Sequence, residues 1–172
     1  MSSNFAAGVT PVFLRGLAAL DANLEKAAAF AASRKLDETH VLSMRFYPDM
    51  YALARQVQIA CDAAKNAVAR LAAVEPRKFE DHEASFAQLR TRVAETIAYI
   101  RTIDAAAVGA GADRDIVLTL GGKPVTMKGE VFLNHFSLPN FYFHHAMAYG
   151  LLRHIGVELG KRDFIGNMRP GA

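Results

Sequence analysis

Apolar residues recur at steps of three and four along four stretches of this chain, a spacing that predicts four amphipathic helices. In the first, Phe13, Leu17, Leu20, Leu24, Ala27 and Ala31 form one stripe over about Thr10 to Ser33. Thr10 is placed to cap it, and Pro11 suits a first helical turn, where a missing N–H is harmless. A connector follows from Lys35 to Tyr47, with Leu42, Met44 and Phe46 able to pack down. Pro48 and Asp49 read as the opening of the second helix, because proline fits there and a carboxylate favours the positive end of the helix dipole. Its stripe is Met50, Leu53, Val57, Ala60, Ala64, Val68 and Leu71, and Pro76 marks its end. The third helix covers about His82 to Asp104, with Phe86, Leu89, Val93, Ile97, Ile100 and Ile103 on its apolar face.

The alanine- and glycine-rich stretch from Ala105 to Asp113 then reads as a loop. Ile116 to Leu120 and Val125 to Met127 flank Gly121-Gly122-Lys123-Pro124, which predicts a short β-hairpin lying against the helices. The fourth helix begins in the stretch Gly129 to Phe136. Ser137-Leu138-Pro139 looks like a cap and restart, and Gly156 is a suitable C-terminal stop. Phe141, His144, Ala148, Leu151 and Ile155 share its stripe. The expected fold is therefore all-α, a four-helix bundle with a short hairpin between helices 3 and 4. Several connections are long enough to allow crossovers.

Composition narrows the class. The chain has 172 residues, 52% hydrophobic and 22% charged, which suits a single domain over 1–172 with a sizeable core. The net charge is only +3, and no basic run exceeds two residues, so nucleic-acid binding is not expected. No apolar run spans a bilayer and no signal peptide is visible, so the expected location is the cytoplasm, without membrane contact. The single cysteine, Cys61, lies in an apolar stretch and reads as a buried small hydrophobe.

Few chemical motifs survive inspection. Gly156 to Lys161 is one residue short of a P-loop and follows a helix rather than a strand. No Gly-x-Ser-x-Gly elbow occurs. A di-iron bundle needs Glu-x-x-His pairs, and none is present. No two of the six histidines stand three or four residues apart, so no helix face offers a ligand pair. His40 and His82 sit in polar surroundings that suit solvated side chains. His154 suits the negative end of a helix, and His135 a backbone bond at the helix break. His145 falls off the core stripe and is expected to be exposed, whereas His144 falls on it and needs polar partners if buried. Gln56 and Gln58 in the second helix, and Asn140 one turn before His144, are available for that. Arg45, Tyr47 and Asp49 gather before the second helix, where a pocket role and simple capping are both open.

Four stretches together carry a likeness: Arg45-Phe46-Tyr47-Pro48-Asp49-Met50, Gln56-Val57-Gln58-Ile59-Ala60-Cys61-Asp62, Leu138-Pro139-Asn140-Phe141-Tyr142-Phe143-His144, and Gly160-Lys161-Arg162-Asp163-Phe164-Ile165-Gly166. The chain resembles a bacterial domain-of-unknown-function family that groups with the DinB/YfiT-like candidate metalloenzymes. The resemblance implies a DinB-like bundle in up-down-down-up order, commonly a homodimer. In that superfamily one histidine from the second helix and two from the fourth typically hold a divalent metal. Aligned on Leu151-Leu152-Arg153-His154-Ile155-Gly156, those places fall at Gln56, Asn140 and His144, so only His144 keeps the ligand type. Glutamine and asparagine are weak ligands for zinc or nickel. The resemblance therefore implies a degenerate metal site without a cofactor, whose polar residues line a small-molecule pocket: Arg45, Tyr47, Gln56, Asn140, Tyr142 and His144. The alternatives are a divergent metal-dependent transferase that recruits His135 or His40, and a non-catalytic dimer whose polar residues only satisfy the core.

Overall fold

The computed structural model describes residues 3–167, and these are mostly helical. In chain order the elements are α1 (Ser3–Arg34), α2 (Glu38–Ser43), α3 (Leu53–Leu71), α4 (Phe86–Thr102), α5 (Ala105–Gly109), β1 (Asp115–Leu120), β2 (Lys123–Lys128), α6 (Gly129–Val131), a π-helical turn (Phe132–Ser137), α7 (Leu138–His154) and α8 (Lys161–Ile165). The four long helices are the four predicted from periodicity. α3 packs on α7 and α4, and α1 packs on α4, α7 and α8. Their stripes meet in one core, in which Phe13, Leu17, Leu20, Leu24, Val57, Val68, Leu89, Val93, Phe141 and Leu152 are fully buried. None of the described helices is long and apolar enough to cross a membrane.

The boundaries differ from expectation where tertiary contacts outweigh local signals. α1 begins at Ser3, so Thr10 and Pro11 lie inside it rather than at its start. Val9 in the added turns is buried, and that burial offsets the one hydrogen bond Pro11 cannot make. The connector holds α2, capped by Asp37, whose carboxylate accepts from the Thr39 N–H at 2.9 Å. Pro48 does not open α3. Residues 44–52 form an irregular turn closed by Leu53 N–H to Met44 O at 2.9 Å, and the helix starts only at Leu53. α4 starts at Phe86 instead of His82, because Ser85 is the residue that caps it, accepting from Gln88 N–H at 3.2 Å. The supposed loop after α4 contains α5, capped by both Asp104 oxygens.

Ser137 is not a break. The fourth helix passes from the π turn into α7 without a stop, with Leu138 N–H reaching the Leu133 carbonyl five residues back. The wider turn absorbs the irregularity that Pro139, which lacks an N–H, imposes on the first turn of α7. The hairpin forms as predicted, with Gly121 at φ 57° and Gly122 at φ 79° in its turn. Lys123 and Pro124 belong to β2 rather than to the turn, and Pro124 pairs with Thr119. Arg114, which donates to the Leu71 carbonyl, ties the base of the hairpin to the end of α3. Gly111 allows the same approach: a Cβ there would lie 2.3 Å from Leu71 O. β1 turns Ile116 and Leu118 inward. The hairpin therefore stands beside the α3–α7 groove.

Candidate functional site

α3 packs along α7, and the groove between them holds the chemically distinctive residues. Antiparallel passage puts Gln56, near the start of α3, beside His144, in the second turn of α7. Gln56 Oε1 lies 2.7 Å from His144 Nδ1, and Gln56 Nε2 donates to the Tyr51 carbonyl at 3.0 Å. This short chain fixes a protonation pattern. A carbonyl only accepts, so the Gln56 amide must turn its NH₂ to Tyr51 and its oxygen to His144. That oxygen also only accepts, so the His144 proton sits on Nδ1, and Nε2 is left as a bare acceptor. Burial holds the His144 pKa below its ordinary value, and the positive charge of Arg55 lowers it further. The ring is thus a neutral base at pH 7. Tyr51 and Phe143 flank it, with ring centroids 6.4 Å and 5.1 Å away.

One turn earlier on α7, Asn140 borders a cleft of about 440 Å³. Its walls are α3 (Ile59, Asp62, Asn66 and Arg70), β1, and the π turn with Phe132, Phe136 and Ser137. The volume falls in the usual range for small-molecule sites.

Of the residues expected to share a pocket, Gln56 and His144 meet directly, and Asn140 lies on the same face of α7 in the adjoining cleft. The others are apart. Arg45 is exposed and donates to the Pro48 carbonyl at 3.2 Å, so it closes the irregular turn before α3. Tyr47 is 66% exposed on that turn, and Tyr142 is 37% exposed with its ring against Phe141. His145, expected at the surface, is fully buried. Neither ring nitrogen has a hydrogen-bond partner, and burial pushes its pKa down to about 4. It packs between Phe141 and Phe164, with centroids 5.8 Å and 4.6 Å away. The cause is α8: the chain end folds back and covers a face of α7 that four helices alone would leave open.

An ionic cluster between α3 and α4, reaching the cleft at Asp62, escaped the sequence reading. The Arg92 guanidinium, 2% exposed, meets Glu83 at 2.9 Å, Asp81 at 3.0 Å and Asp62 at 3.2 Å. Lys65 also pairs with Asp62 at 3.1 Å, and Gln58 donates to Glu83 at 2.8 Å. Burial raises the Glu83 carboxyl, but the hydrogen bonds from Arg92 and Gln58 outweigh it, and its pKa falls. This cluster pins the segment before α4 onto α3. The acidic run Glu80-Asp81-His82-Glu83, ahead of an arginine in an apolar helix, was the available signal. Cys61 is fully buried, and burial pushes its thiol pKa up to about 12, so it is no nucleophile.

With this geometry established, comparison places the chain. A model of the domain of unknown function DUF1993 matches residues 6–165. The chain belongs to the DUF1993 family. A crystal structure of a DinB family member protein from Shewanella denitrificans is 37% identical, with a TM-score of 0.89 over 99% of this chain and 97% of that one. No curated protein matches. The DUF1993 chain thus has a DinB-like fold, and that fold raises the question of a metal. The donors at the three corresponding places do not fit one. Both ends of the Gln56 amide are engaged, Asn140 is a poor ligand, and His144 stands without a second histidine. Among the described residues no group of three His, Cys, Asp or Glu side chains is arranged to hold a metal ion. His40, exposed in α2, lies 3.3 Å from Asp37, and His135 is exposed.

Proposed function

We propose that this DUF1993 protein binds a small polar molecule in the α3–α7 groove, at a site that no longer uses a metal. The observation that carries the reading is the Tyr51–Gln56–His144 chain. It holds a buried imidazole in one tautomer and leaves Nε2 bare, an arrangement suited to accepting a hydrogen bond from a ligand or taking a proton from one. Glutamine takes the place where the superfamily has a metal-binding histidine and keeps the ring of His144 in position. In this reading the domain spans the whole chain, the helices run up-down-down-up, and the protein pairs as a homodimer, as the family resemblance implies.

The test uses a panel of small polar compounds and thermal shift. The expected result is that one compound class raises the melting temperature of the wild-type chain and loses its effect in His144→Ala, with the far-UV circular dichroism unchanged. Equal shifts in both proteins would overturn the reading. Elemental analysis of protein purified without an affinity tag decides between this proposal and a metal-dependent transferase. About one zinc, nickel or iron per chain would replace the proposal with the enzyme reading.

A further inference from the structure

The cleft beside His144 has a definite electrostatic character, and it refines the reading that the groove holds a small molecule. Ser137 is 2% exposed and lines the cleft, yet its hydroxyl makes no hydrogen bond among the described residues. Several helical hydroxyls elsewhere return to their own backbone. Ser33 bonds Phe30 O at 2.8 Å, Thr91 bonds Ala87 O at 3.0 Å, and Thr96 bonds Arg92 O at 2.8 Å. Ser137, placed at the end of the π turn, does not.

Three further donors face the same space. The Asn140 amide has no hydrogen bond among the described residues. Asn66 uses its Oδ1 to accept from Lys65 Nζ at 2.8 Å, which turns its NH₂ group away from the lysine. Arg70 is half-buried and makes no ion pair within 4.0 Å among the described residues; it feels only the more distant charge of Glu75. The acidic lining residue, Asp62, is already neutralised by Lys65 at 3.1 Å and Arg92 at 3.2 Å. The uncompensated charge along the cleft is therefore positive. Arginine is the side chain whose planar fork matches a carboxylate or phosphate with two parallel bonds. Ile59, Phe132 and Phe136 supply apolar wall beside it.

We propose that the cleft binds a small molecule bearing an oxyanion, a carboxylate or a phosphate, held by Arg70 with Ser137, Asn66 and Asn140 as neutral donors around it. The ligand's apolar part lies against the π turn, and its far side points along α7 towards His144.

The test is a titration of ¹⁵N-labelled full-length chain at constant ionic strength with three probes: benzoate, inorganic phosphate and benzamide. Benzoate or phosphate is expected to shift the side-chain signals of Arg70 Nε, Asn66 and Asn140 saturably, and whichever binds more tightly names the oxyanion. Arg70→Gln should weaken that probe about tenfold, the scale of one charge-assisted hydrogen bond. Ser137→Ala, which removes one oxygen without touching the core, should weaken it about threefold. Benzamide has the shape of benzoate without its charge and should bind at least tenfold more weakly. Benzamide binding as tightly as benzoate, or an Arg70→Gln chain binding either anion like wild type, would overturn the oxyanion inference while leaving the pocket reading in place. No response to any of the three probes would likewise overturn the oxyanion inference, leaving the pocket reading to the thermal-shift panel.

Discussion

His144 and His145 are neighbours in sequence and occupy two different chemical worlds. On the α3 side of α7 the histidine has a partner. Gln56 orients His144, and between α3 and α4 the carboxylates of Asp62, Asp81 and Glu83 surround Arg92. The α1–α8 side leaves its buried amide and imidazole without partners. His145 has two orphan ring nitrogens, and Asn23 on α1 is 1% exposed with neither amide atom paired. Adjacent helical residues point about 100° apart, so one step along the chain moves a side chain from an open groove to a sealed interface. The lesson is that the same residue type is a candidate reactive group only where a second residue orients it. His145 is more deeply buried than His144 and has the more strongly depressed pKa. It is still the less suitable base, because nothing fixes its tautomer and Phe141 and Phe164 enclose it.

The largest expected effect tests the satisfied side. Arg92→Met strips Glu83 of its cationic partner, while Lys65 stays on Asp62 and Arg55 on Asp81, and should cost about 3–5 kcal/mol in urea unfolding at pH 7. A loss below about 1 kcal/mol would mean that the cluster is solvated rather than structural, and that the two sides differ less than their contacts suggest.

Acid tests the unsatisfied side. The unfolded chain protonates His145 near 6.5, but the folded chain resists until about 4. The unfolded state therefore binds the extra proton in that window. Stability is complete above pH 6.5 and falls by about 3 kcal/mol as the pH drops to 4. His145→Leu should remove this part of the acid sensitivity and, by deleting two unpaired buried atoms, stabilise the chain by about 1 kcal/mol at pH 7. Unfolding curves of both proteins at pH 7 and pH 4.5 measure it. Parallel losses in the two would show that His145 is hydrated or paired in solution.

A smaller effect sharpens the contrast at His144. Gln56→Leu should cost about 1–2 kcal/mol and release the tautomer. The imidazole ¹⁵N shifts of His144 should report a proton on Nδ1 in wild type and a mixture of Nδ1-H and Nε2-H forms in the variant. A mixture already present in wild type would undo the argument that Gln56 orients the ring.

The helices themselves were legible because their signal is local. Apolar steps of three and four mark a face whatever it packs against, and the stripes became core except for Met50, which lies on the turn before α3, and Ile97, Ile103 and Ile155, which are half-buried against it. The glycine pair of the hairpin was legible for a similar reason: few residues other than glycine adopt the positive φ that its turn requires. The ends were harder. Pro48 and Pro11 carry real helix-start preferences, but these are worth little beside the burial of Val9 or the pinning of Leu53 to Met44. For the site, Gln56 was one of three residues available to His144, with Gln58 and Asn140, and the structure sets it at hydrogen-bond distance. Arg45 and Tyr47 lie close to Gln56 in sequence, but the turn at 44–52 carries their side chains to the surface.

The sequence by itself determined the four amphipathic helices, the hairpin and the membership of a DinB-like family, because periodicity, turn chemistry and residue identity are properties of neighbouring positions. Which histidine would be oriented and which entombed was decided only by the tertiary structure. His144 and His145 share the same local sequence. What separates them is what lies opposite: an amide on α3, 88 positions away, and an aromatic ring on the returning α8.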